Sequence, residues 1–152
     1  MRNDEFFMRQ ALVEAEKSLK RNEVPVGAVV VSENEIVSRA HNAPIAKNDP
    51  TAHAEMLAIR NAGTKKRNYR LSGCDLYVTL EPCAMCLGAA VHARIRRLVY
   101  GAVDPKGGAV ESVMQFPLDR MNHSVEIVRG VLAEECGKIL RDFFKIKRRP
   151  VE

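Results

Sequence analysis

From residue 76 onward the chain alternates strand-like and helix-like segments, and this alternation restricts the fold more than any other feature. Residues 76-LYVTL-80 are a short buried-type strand, and Pro82 opens a helix over 82-PCAMCLGAAVHAR-94. A strand at 97-RLVYG-101, a long loop over 102–123, a strand over 124–130 and a helix near 132–147 follow. Ahead of this region, 26-VGAVVV-31 and 36-IVSRAH-41 are joined by a turn of Ser32, Glu33, Asn34 and Glu35. A turn that short pairs them as an antiparallel hairpin. Two further helices are predicted. The first covers 4–20, where Phe7, Ala11, Ala15 and Leu19 share a face. The second covers 48–63, with Asp49 as its cap, Pro50 at its first position and Gly63 just past its end. The pattern predicts an α/β fold. It is a three-layer α-β-α sandwich around a five-stranded mixed sheet, with an N-terminal antiparallel hairpin and parallel later strands. No linker, repeat or low-complexity tract divides the chain, so residues 1–152 are expected to form a single domain.

Apolar residues make up 46% of the chain, enough for a core, and no apolar run approaches the ~20 residues of a membrane span. The N-terminal stretch mixes acids and bases and has no apolar centre, so it is no signal peptide. A cytoplasmic location follows as an expectation. There Cys74, Cys83, Cys86 and Cys136 are metal ligands or buried thiols rather than disulfides. The formal net charge of +5 suits a polyanionic partner without requiring one.

The chemistry concentrates in 52-AHAE-55 and 81-EPCAMC-86. Cys83 and Cys86 lie at i and i+3 in a first helical turn, with Cβ atoms roughly 5–6 Å apart, so their sulfurs can meet on one ion. A helix N-terminus favours the thiolates that zinc requires. His53 adds a neutral imidazole. Three good ligands without an obvious fourth describe catalytic zinc, which keeps a position for water and lowers its pKa to about 7. Glu55, two residues from His53, is placed to carry protons beside that water. A redox C-x-x-C leaves His53 and Glu55 unexplained. A structural zinc would need His92, His123 or Cys74 as a further ligand.

H-A-E followed by P-C-x-x-C resembles the signature of the cytidine-deaminase-like zinc deaminases. The flanks 24-VPVGAVVV-31, 42-NAPI-45, 49-DPTAHAE-55, 76-LYVTLEPCAMC-86, 101-GAVDPKGGA-109, 121-MNHSVEI-127 and 143-FFKIKRR-149 resemble the bacterial tRNA adenosine deaminases of the TadA type. The resemblance implies one Zn²⁺ per chain on His53, Cys83 and Cys86, with Glu55 as the proton carrier. It implies hydrolysis of the wobble adenosine of a tRNA anticodon loop to inosine, and a homodimer. It also implies substrate contacts from Asn42, from Asp104 near the ribose backbone, and from the segment Phe143 to Arg149. There Phe144 would stack on a base and Arg148 would meet phosphate.

Plainer roles compete at several positions. Asn42 can end a strand, and Asp104-Pro105 can be an ordinary turn. Cys136, with Leu132, Ile139, Leu140 and Phe143, has the spacing of a packed helix face. Two other functions also compete: a free-nucleobase deaminase of the same superfamily acting on guanine or cytosine, and a non-catalytic zinc module that binds RNA.

Overall fold

The computed structural model describes residues 3–147. Helix α1 (Asp4–Lys20) begins where Asn3 Oδ1 accepts the Phe6 amide at 3.1 Å, with Asp4 and Glu5 in its first turn and Lys17 and Lys20 in its last. Strands β1 (Gly27–Ser32) and β2 (Glu35–His41) form the predicted hairpin. Glu33 and Asn34 take φ of 51° and 63°, the left-handed values of a two-residue hairpin turn. The remaining elements are α2 (Pro44–Lys47), α3 (Ala54–Lys66), β3 (Asp75–Leu80), α4 (Ala84–His92), β4 (Arg97–Ala102), β5 (Glu126–Val128) and α5 (Ala133–Lys147).

The five strands form one sheet in the order β2-β1-β3-β4-β5. β1 runs antiparallel to β2 and β3, while β3, β4 and β5 are parallel. Alternate residues of each strand face opposite layers. Val29, Val31, Tyr77 and Val99 pack with Phe7, Met8 and Ala11 of α1 and Cys136 of α5. Ala28, Val30, Leu76, Val78 and Leu98 pack with Ala54, Ala58 and Ala62 of α3 and Leu87 and Ala90 of α4. This is the predicted α-β-α sandwich. Gly27 lets α1 lie close on the sheet: a Cβ there would stand 1.9 Å from the Ala11 carbonyl oxygen.

Three predicted boundaries are corrected. The helix predicted over 48–63 starts at Ala54 and runs to Lys66, with Gly63 inside it. Asp49 does not cap it. Its Oδ1 accepts the Thr51 amide at 2.8 Å and the Thr51 hydroxyl at 2.7 Å, and this closes a local turn instead. Pro82 likewise precedes α4, whose cap is Cys83. The strand predicted over 124–130 keeps only Glu126–Val128 in the sheet. His123 Nε2 bonds the Ile95 carbonyl before it, and Gly130 turns the chain away after it at φ 73°.

Register decides what meets at the site. Gly27 pairs with His41, Ala28 with Val78, and Leu80 with Ala102. Asn42, Glu81 to Cys83, and Val103 to Asp104 therefore leave the sheet at one end, where parallel strands leave a crevice.

Candidate active site

His53 and Cys83 are the N-cap residues of α3 and α4, and neither side chain makes a well-formed capping hydrogen bond. The helices begin with Leu57 N–H donating to the His53 carbonyl and Leu87 N–H to the Cys83 carbonyl, each at 3.0 Å. The cap side chains are thereby free to turn toward each other. His53 Nδ1 stands 3.7 Å from Cys83 Sγ and 3.6 Å from Cys86 Sγ. Zinc ligands at about 2.3 Å for sulfur and 2.0–2.1 Å for nitrogen, set tetrahedrally, stand about 3.6 Å apart. Both nitrogen–sulfur distances match that spacing, and all three donor atoms lie within 4.8 Å of one another. Among the described residues they form the one group of His, Cys, Asp and Glu gathered closely enough to hold a metal. His92 is exposed on the end of α4, His123 is bonded to Ile95, and Cys74 is buried near the Ser72 carbonyl, so none of these completes a four-ligand set.

The two thiols are shifted in opposite directions. A hydrogen bond from Cys86 holds the Cys83 thiol down at about 4, against burial and with help from His53. Cys86 is pushed up, first by Cys83, then by burial and Glu55. Ionising both takes a cation between them, which is what the donor set fits. Glu55 is 4% exposed and stands outside the donor group, interacting with His53 and Cys86. Burial raises its pKa; a cation alongside works the other way.

The structure brings two of the other predicted residues to this end of the sheet. Asn42 follows β2; its amide donates to the Val26 carbonyl and its carbonyl accepts from Ser18 Oγ at 2.8 Å. Asp104 follows β4, and its Oδ1 accepts the Lys106 amide at 3.0 Å, so the ordinary turn exists there. On α5 the adjacent phenylalanines separate. Phe143 is 7% exposed and Phe144 is 37% exposed, with Lys106 Nζ 5.8 Å from the Phe144 ring centroid. Arg148 and Arg149 lie outside the described residues.

Sequence reasoning missed two buried acids. Glu23 accepts the Ile45 amide at 2.6 Å and the Ala46 amide at 3.3 Å, which fixes α2 beside Asn42. Glu81 gathers the loop after β4. Burial alone would raise its pKa. The Ser112 hydroxyl and the amides of Glu111, Asp104 and Ser112 bring it below the ordinary value. The signal available was an acid at the end of an apolar strand, directly before the P-C-x-x-C run.

Residues 1–102 match the family described as the cytidine and deoxycytidylate deaminase zinc-binding region, so fold and site together define a zinc-type deaminase, a hydrolase of C–N bonds. The chain is 47% identical over 150 residues to a tRNA-specific adenosine deaminase of Bacillus subtilis (strain 168), covering 98% of this chain and 93% of that one. It is 50% identical over 147 residues to the tRNA-specific adenosine deaminase of Haemophilus influenzae, covering 95% and 85%. A solved structure from a study of A-to-I editing by tRNA:A34 deaminases at the wobble position of transfer RNA matches with a TM-score of 0.85 at 48% identity. That match covers 89% of this chain and 99% of the other. The chain belongs to the tRNA-specific adenosine deaminase family.

Proposed function

We propose that this protein hydrolyses adenosine to inosine at the wobble position of a tRNA anticodon loop. The observation that carries the chemistry is the convergence of His53 Nδ1 and the two sulfurs at 3.6–3.7 Å, with the buried carboxyl of Glu55 beside them. The choice of substrate is supported by identities of 47–50% to tRNA-specific deaminases over nearly the whole chain.

His53, Cys83 and Cys86 would hold one Zn²⁺ per chain. When bound, zinc supplies Lewis-acid activation of a water. Glu55 is the residue that would take a proton from the attacking water and deliver it to the ring nitrogen beside C6. With the water's oxygen added to C6, Glu55 would take the remaining proton from the new C6 hydroxyl and pass it to the exocyclic amine, so that the C6 carbonyl forms as the bond to that nitrogen breaks. The products are inosine and ammonia.

Asn42 hydrogen-bonds the target nucleotide, and Asp104 lies by the ribose backbone. Phe144 is the ring available for a splayed base, since Phe143 is buried against the core and Phe144 is not. Arg148 meets phosphate in this reading. An anticodon loop is already single-stranded, so extruding its base takes less energy than in a duplex. We further propose a cytoplasmic homodimer. No helix among the described residues is long and apolar enough to cross a membrane.

Incubation with an anticodon stem-loop carrying A at the wobble position should yield inosine and ammonia in equal amounts. Turnover of free guanine or cytosine, with none of the stem-loop, would replace this reading with a nucleobase deaminase.

A further inference from the structure

Glu81 is 2% exposed, and no Lys or Arg bonds its carboxylate among the described residues. Backbone donors surround it instead. Oε1 accepts the Asp104 amide at 3.0 Å and the Ser112 hydroxyl. Oε2 accepts the amides of Val110, Glu111 and Ser112 at 3.0, 2.9 and 3.1 Å. Gly108 lies against the same group: a Cβ there would stand 2.2 Å from Glu81 Cδ. The Ala109 amide adds a bond to the Pro82 carbonyl at 2.9 Å. Residues 103–112 are thus wrapped around one side chain. Charge-assisted hydrogen bonds from several amides hold a loop more firmly than neutral ones.

The position of that side chain matters. Glu81 is two residues before the metal ligand Cys83, and its own amide still pairs with Ala102 of β4 at 2.8 Å. The loop it gathers carries Asp104 and Lys106, and Lys106 reaches over Phe144 of α5. We infer that Glu81 is a positioning residue for the nucleic acid. Its carboxylate sets loop 103–112 at a fixed distance from the metal ligands, so that Asp104 and the Lys106–Phe144 pair are presented to the bound strand in register with the reacting base. This inference rests on the RNA-deaminase reading above. It assigns Glu81 to substrate binding and not to metal retention or proton transfer.

Glu81→Gln keeps the size of the side chain, removes its charge and turns an NH₂ toward the loop amides. Three readouts are taken on zinc-loaded protein: amide hydrogen exchange, zinc content, and steady-state kinetics on the anticodon stem-loop. Exchange at Asp104, Val110, Glu111 and Ser112 should quicken by roughly tenfold or more while the sheet amides hold. Zinc should be retained. KM for the stem-loop should rise by roughly tenfold or more, with kcat falling less than about threefold. Ser112→Ala removes one donor at an exposed position and should give the same pattern at about threefold in KM. It decides the matter alone if Glu81→Gln does not fold. The inference is overturned if zinc is lost, if kcat falls with KM unchanged, or if neither constant moves. Should the wild-type protein fail to deaminate the stem-loop, the functional reading fails on that result alone. Loop exchange then still decides whether Glu81 holds the loop.

Discussion

The two ends of the central strands bury charge in opposite ways. At the end where β3 and β4 begin, Asp75, Arg97 and Glu126 lie side by side in register. The Arg97 guanidinium is 2% exposed and bonds Asp75 at 3.0 Å and Asp4 at 2.9 Å, with Glu126 at 3.5 Å from Nε. Arg96 bonds both oxygens of Asp75 at 3.0 Å. Burial disfavours the charge on Arg97, but its partners Asp4 and Asp75 hold its pKa above the ordinary value. Cation and anions are matched within the protein. At the other end, Cys83, Cys86, Glu55 and Glu81 are all groups that can carry negative charge, and His53 is the basic group that acts on the two thiols and Glu55. A cluster balanced by its own side chains stabilises a fold. A cluster with surplus acidic groups needs other partners: for Glu81 these are the loop amides, and for the two thiols a divalent cation in the proposed function.

The contrast breaks most readily at the metal end. Cys83→Ala should release zinc and abolish turnover, and Glu55→Gln should keep zinc and lower kcat by roughly 10²–10⁴-fold. Metal analysis beside an inosine assay separates the two. Unchanged deamination by Glu55→Gln would remove the carboxyl from the mechanism. At the opposite end, Arg97→Met removes the buried cation shared by Asp4 and Asp75, leaves Asp75 with Arg96 as its remaining arginine partner, and should destabilise the protein by about 3 kcal/mol in denaturant unfolding. Zinc content and the kcat of the folded fraction should hold. If zinc or kcat falls instead, the two ends are not separate. A smaller effect is expected at Phe144. Phe144→Ala should raise stem-loop KM by about fivefold, as for about 1 kcal/mol of stacking, with kcat unchanged. No change would leave Phe144 as packing against Phe143, whose ring centroid lies 5.3 Å away.

Much of the architecture was legible because burial follows period. β3 and β4 are buried almost throughout, as the largely apolar runs 76-LYVTL-80 and 98-LVYGA-102 imply. Cys136, Leu140 and Phe143 bury one face of α5, as their spacing predicts. Boundaries were less legible. Asp49 and Pro50 look like a helix start, yet the Asp49 carboxylate found Thr51 first and the helix waited for His53. Short-range competition of that kind depends on geometry that a residue pattern does not carry. Glu81 was hidden for a different reason. Its partners lie 23 to 31 residues ahead and are mostly backbone amides, which have no signature in side-chain identity.

The sequence by itself determined the donor set, the i, i+3 spacing of the two sulfurs and the acid two residues from the histidine, because one helical turn fixes such distances locally. The tertiary structure alone decided that His53 presents Nδ1 to both sulfurs, that Phe144 rather than Phe143 stays exposed, and that a loop closes on Glu81. Those outcomes depend on sheet register and layer packing between segments tens of residues apart. Only the folded chain sets such distances.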